Sequence, residues 1–112
     1  MLEEIKNQFY SNTLKDLQFV SQQLSGALHQ AENPDALVNN IFSIMHQISG
    51  TGPMLGFDRT SGLSRKVEKT FVEIRSGEKS LTSQILQQTQ RAIDAMIQTL
   101  NDEQNSKLVS YN

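Results

Sequence analysis

Residues 45–57, MHQISGTGPMLGF, place a histidine inside an apolar helical pattern and follow it with three glycines and a proline. An imidazole is a base, a nucleophile and a metal ligand near neutral pH. Its use depends on whether His46 faces the core or the solvent. Leu37, Ile41, Ile44, Met45 and Ile48 form the apolar stripe of the surrounding helical pattern. An advance of about 100° per residue puts His46 roughly 150° from the centre of that stripe, facing solvent. Phe42 lies one turn earlier and Gly50 one turn later on the same face, so the imidazole stands between an aromatic ring and bare backbone. A partner could approach closely there. An ordinary surface histidine beside a glycine-rich helix end fits the same spacing.

Composition removes several other chemistries. The 112 residues include no cysteine, which excludes disulfides and thiolate catalysis, and only two histidines, His29 and His46, too few for an ordinary zinc site. The formal charge is −2, from 10 basic and 12 acidic residues, so the excess of positive charge expected of a nucleic-acid or anionic-membrane binder is missing. Glu3 and Glu4 stand where a signal peptide would be basic, and no stretch is apolar enough for a bilayer span. A cytoplasmic location is the expectation. The glycines at 50, 52 and 56 do not have the G-x-G-x-x-G spacing, and they follow a helix rather than a strand, which argues against a nucleotide cradle. Ser76 to Lys79 spells S-x-x-K without the companion motifs of serine hydrolases. His29, near the end of the first helical pattern, suits the helix dipole and has no evident chemical partner.

The elements that position His46 are helical throughout, since apolar residues recur at spacings of three and four and no segment alternates like a strand. A first helix is predicted from Leu2 to Ala31. Leu2, Ile5 and Phe9 form its lead-in, and Leu14, Leu17, Val20, Leu24 and Leu28 its stripe. Asn33-Pro34-Asp35 reads as a cap, a first-turn proline and an acid suited to the dipole, so a second helix starts at Pro34. A third begins near Asp58, buries Leu63, Val67, Thr70, Phe71 and Ile74, and stops at Gly77 in the left-handed conformation. The fourth opens with Thr82 as N-cap and Leu81 stapled to Leu86, then buries Thr89, Ile93, Met96, Ile97 and Leu100. The fold predicted is an all-α, antiparallel up-down four-helix bundle spanning residues 1–100 as one domain, with residues 101–112 a polar, frayed tail.

His46-x-x-Ser49-Gly50, followed by five residues and Gly56-Phe57, resembles the signature of histidine-containing phosphotransfer (HPt) domains, usually written H-x-x-K-G-x-x-x-x-x-G. The likeness continues in Ile41-Phe42, Met54-Leu55-Gly56-Phe57, Glu68 and Arg75-Ser76-Gly77-Glu78, and covers roughly residues 9–100. It is most similar to the phosphotransfer domains of chemotaxis-type kinases. The resemblance implies a phosphorelay carrier rather than an enzyme: His46 takes a phosphoryl group and exchanges it with an aspartate of a receiver domain. The receiver brings its own Mg²⁺, so no cofactor is expected of this chain. A histidine kinase is a further candidate partner, the chain is expected to be a monomer, and with Met1 at its start it reads as free-standing or excised from a larger protein. In the relatives a third-helix glutamate orients the imidazole, and Glu68 stands at the matching position. Helical spacing puts it about 120° from the centre of its stripe, a boundary position within reach of His46.

Two departures from the family pattern leave alternatives open. Ser49 replaces the usual lysine and removes a positive charge near the phosphoryl oxygens. Arg65, about one turn from Glu68, is a candidate replacement for that charge, although Arg65, Lys66 and Lys69 also read as an ordinary charged face. Pro53 cannot donate a backbone hydrogen bond to Ser49, so the helix either kinks there or ends at Gly50 to Gly52. The surface expected to dock partners comprises Phe42, Gly50, Met54 and Gly56. The rival reading is an adaptor that binds receiver or kinase domains on that surface without transferring phosphoryl groups.

Overall fold

The computed structural model describes residues 1–29 and 34–109. Its elements are α1 (Leu2–His29), α2 (Pro34–Thr51), a short 3-10 helix (Gly52–Leu55), α3 (Asp58–Arg75) and α4 (Ser83–Val109). Among the described residues there is no strand. α2 packs on α3, α3 on α4, α4 on α1 and α1 on α2, closing a four-helix ring. Cross-helix hydrogen bonds fix the directions. Asn7 pairs with Gln104, Tyr10 with Asn101 and Ser21 with Gln90, so numbering falls along α4 as it rises along α1. The pairs His46–Glu68 and Ser49–Ser64 show α2 and α3 running oppositely as well. The bundle is the all-α, up-down arrangement predicted.

The stripes meet in one core. Leu17, Val20 and Leu24 of α1, Ile41 and Met45 of α2, Phe71 of α3 and Ile93, Met96 and Leu100 of α4 are fully buried. Phe57, in the turn before α3, is fully buried too and its ring lies 5.1 Å from that of Phe9. Within α2, Val38 is buried where the sequence pattern left it out, and Ile44 is only half-buried. No helix among the described residues is long and apolar enough to cross a membrane.

The helix ends follow local chemistry. The Ile85 amide donates to Thr82 Oγ1 at 3.1 Å, the N-cap bond predicted for α4, while Leu81 and Leu86 both join the core. Gly77, at φ 87°, takes the left-handed conformation after α3, and its amide donates to the Ile74 carbonyl. Pro53 ends α2 rather than bending it. The α-helix stops at Thr51, Pro53 enters the 3-10 helix, and Gly56 at φ 85° closes that turn.

One expectation needs correction. It concerns residues 101–112, expected as a frayed tail: α4 continues to Val109, and 110–112 lie outside the described residues. The extension is held by polar groups that an apolar periodicity does not register. Asn101 accepts from the Tyr10 hydroxyl at 2.6 Å, and Gln104 donates to Asn7 at 2.9 Å. Glu103 accepts from the Arg59 and Thr60 amides and from Thr60 Oγ1. The first helix begins at Leu2 as predicted, with Leu2 and Ile5 more than half exposed because cover by the bundle begins near Phe9 and Tyr10. The expected end at Ala31, the Asn33 cap and the side chains of Leu28 and His29 lie outside the described residues.

Candidate functional site

His46 sits on the solvent face of α2, its side chain 71% exposed, and Glu68 reaches it from α3 with its own side chain only 20% exposed. Nδ1 and Glu68 Oε2 are 2.7 Å apart. A carboxylate only accepts, so Nδ1 carries the hydrogen, and in the neutral ring Nε2 is left as the basic, unshared nitrogen pointing away from Glu68. The pair is reached because α2 and α3 run antiparallel with residues 46 and 68 at one level.

The next level along this seam explains why the helices hold that register. Ser49, one turn beyond His46, shares a 2.7 Å hydrogen bond with Ser64, one turn before Glu68. Ser64 Oγ also lies 2.8 Å from the Ser61 carbonyl. Ser61 Oγ in turn donates to the Phe57 carbonyl at 2.7 Å, with the Ile48 carbonyl at 3.4 Å. Ser61 and Ser64 are buried, so α3 presents hydroxyls to α2 at positions outside the predicted stripe of Leu63, Val67, Thr70, Phe71 and Ile74, while the buried Thr60 turns to Glu103 of α4. Gly52 completes the close approach, since a Cβ there would run into Ser61 Oγ. The signal in the sequence was the clustering of small residues in Thr60-Ser61-Gly62-x-Ser64 opposite Ser49 and Gly52.

Each residue singled out in the sequence has a definite place. Phe42 stacks on the imidazole, with ring centroids 5.7 Å apart and planes 13° from parallel. Gly50 is exposed, and a Cβ there would meet nothing within 4 Å, so packing in the isolated chain does not require glycine. Met54 is 82% exposed on the 3-10 helix. Gly56 is exposed too, and its positive φ accounts for glycine there without any partner. Ser49 is turned into the α2–α3 seam toward Ser64. Arg65 is exposed and lines a shallow groove with Glu68, Lys69 and Val72, but among the described residues it makes no ion pair with Glu68. The structure therefore gathers Phe42, His46 and Glu68 into one cluster and leaves Arg65 beside it. Arg75, which the sequence reading included only in the family likeness, lies with its guanidinium carbon 4.2 Å from the Phe42 ring centroid.

An exposed imidazole with one nitrogen bonded to a carboxylate and the other open to solvent has the chemistry of a nucleophile at that second nitrogen. The Hpt domain family model matches residues 4–103, nearly the whole described chain. The chain belongs to the Hpt domain family. Hpt domains are phosphocarrier modules that serve histidine phosphotransfer in two-component signalling, where receiver domains and kinases are the partners. A curated relative, the sensor histidine kinase CheAY of Helicobacter pylori, is 30% identical over 95 residues, which cover 85% of this chain and 12% of the relative. This chain thus spans about one eighth of that protein's length. No solved structure matches the chain.

Proposed function

We propose that this Hpt domain accepts a phosphoryl group on Nε2 of His46 and exchanges it with an aspartate of a receiver domain. The observation that carries the reading is the pairing of a 71% exposed imidazole with Glu68 through Nδ1, which leaves Nε2 open to an incoming phosphorus atom. In the transfer, Nε2 attacks phosphorus in line as the aspartyl phosphate oxygen leaves, forming the N–P bond and releasing the carboxylate; the reverse step returns the group. Glu68 stabilises the positive charge that the imidazole gains as its lone pair enters the new bond. The Hpt side needs only position and access. The receiver supplies the aspartate and the Mg²⁺ that neutralises the phosphoryl oxygens, and the surface around Phe42, Gly50, Met54 and Gly56 receives it. Gly50 gives that surface a backbone any partner can approach closely.

The adaptor reading, binding without transfer, drew on Ser49 and Pro53. Pro53 lies in the 3-10 helix after Thr51 and leaves the helical turn carrying His46 regular, which favours the relay. The test is incubation of the purified chain with a panel of phosphorylated receivers and kinases. Acid-labile, base-stable label that is absent from His46→Gln supports the relay; full labelling of His46→Gln, or none of wild type by any donor, removes it.

A further inference from the structure

We propose that Arg75 is a positioning residue for His46, acting through the Phe42 ring that its guanidinium covers and that the imidazole stacks on. This rests on the reading that His46 is the reacting group. The Glu68 bond fixes where Nδ1 lies, yet a single hydrogen bond on an exposed side chain still lets the ring rock about the axis through that nitrogen. The Phe42 stack supplies the missing restraint, because face contact sets the plane of the imidazole and hence the line along which Nε2 presents its lone pair. An edge bond to Glu68 and a face contact with Phe42 together leave one orientation.

Phe42 can do this only if its own ring is held, and it is only half-buried. Arg75 holds it. The guanidinium carbon lies 4.2 Å from the ring centroid, within the range of a cation–π contact. The arginine is free to serve the ring: among the described residues the ion pairs are His46–Glu68 and Lys79–Glu73, and neither involves Arg75. Its backbone is equally well placed. Arg75 is the last residue of α3, where a cation suits the helix dipole, and the Gly77 turn leads the chain away directly afterwards. Arg75, Phe42 and His46 thus form a chain of contacts running from the end of α3 to the nucleophile. The competing account is an arginine that merely covers nearby apolar surface, with no effect on the imidazole.

The test uses the full chain alone, labelled with ¹⁵N, at pH 9, where imidazoles are neutral. Long-range ¹H–¹⁵N spectra report which ring nitrogen of His46 carries the proton. Wild type should show the Nδ1–H form dominating. Arg75→Ala and Phe42→Leu should each lower the ratio of Nδ1–H to Nε2–H by about twofold to fivefold. Arg75→Lys, which keeps a cation over the ring with a poorer face contact, should fall between wild type and Arg75→Ala. Glu68→Gln should move the ratio while the Phe42 ring signals stay in place. Unchanged ring-nitrogen shifts in Arg75→Ala overturn the proposal, and so does a shift unaccompanied by change at the Phe42 ring protons. Because no phosphodonor is present, a chain that shows this response yet accepts phosphoryl from no donor would lose the relay reading and keep the positioning one.

Discussion

The seam between α2 and α3 and the seam between α1 and α4 solve different problems with the same helical geometry. The α2–α3 seam is lined beside the site by hydroxyls and a glycine, Ser49, Ser61, Ser64 and Gly52, and ends at the surface in His46 and Glu68. The α1–α4 seam joins the two longest helices, with fully buried Leu17, Val20 and Leu24 facing the same core as Ile93, Met96 and Leu100, and long polar side chains tying its edges. Short side chains make register exact at the cost of buried apolar area, and register is what a carboxylate needs to meet an imidazole across two helices. The long apolar seam supplies burial, roughly 1.5–3 kcal/mol for each large side chain removed from water. Position is thus set on one side of the bundle and much of the stability on the other.

The sharpest way to break that division is Gly52→Ala. The new Cβ meets Ser61 Oγ, which is itself held by the Phe57 carbonyl, so the seam must open. A loss of about 1–3 kcal/mol in urea unfolding is expected, with labelling of His46 falling beyond what the unfolded fraction explains. Glu103→Ala probes a contact outside both seams, between α4 and the start of α3. It removes the acceptor for two amides and a hydroxyl at the start of α3, far along the helix from Glu68, and should cost about 1–2 kcal/mol while leaving transfer unchanged when folded fractions are matched. A transfer defect in that variant would show that stability and position are not separable here.

Ser49→Lys sharpens the comparison at the site. The lysine restores the family's charge but breaks the bond to Ser64, so stability should fall by about 1 kcal/mol while transfer speeds by less than tenfold. Since Arg65 makes no ion pair with Glu68 among the described residues, its removal should combine additively with Ser49→Lys, within about 0.5 kcal/mol in a double-mutant cycle. The smallest effect belongs to Asp16 on α1. Partial burial pushes its carboxyl above the ordinary value of 3.8, so the folded state is penalised when the group is ionised. The native form binds this proton more readily than the unfolded chain. The group's contribution is therefore most favourable below about pH 3.8 and is lost as pH rises through the folded value. Asp16→Asn should raise the unfolding midpoint at pH 7, with the gain vanishing at pH 3.

Most of the fold was legible because it rests on period and punctuation. The stop at Gly77 and the cap at Thr82 follow from residue type and spacing and hold in three dimensions, as does the stripe of α2 apart from Val38, which it missed, and the half-buried Ile44. So does the solvent-facing place of His46, which needs only the angle per residue. What was hidden depends on contacts between distant segments. The stretch after Leu100 looks polar and idle until Tyr10, Asn7 and Thr60 are brought against it. Ser49 looks like a lost lysine until Ser64 is placed opposite, and Arg75 looks like an ordinary helix-end cation until the Phe42 ring lies beneath it. Side chains whose meaning comes from a partner across the bundle leave no periodic trace.

In the proposed relay, Glu68 and the exposed face of α2 present one atom, Nε2 of His46, for phosphoryl transfer. The most direct measurement is the position of the bond in the phosphorylated chain, read by ³¹P–¹⁵N NMR of ¹⁵N-histidine-labelled protein after transfer from a phosphorylated receiver or kinase. A single N–P bond at Nε2 of His46 is expected, with Nδ1 still protonated and paired to Glu68. A phosphoryl group on Nδ1, or on any other residue, would contradict it.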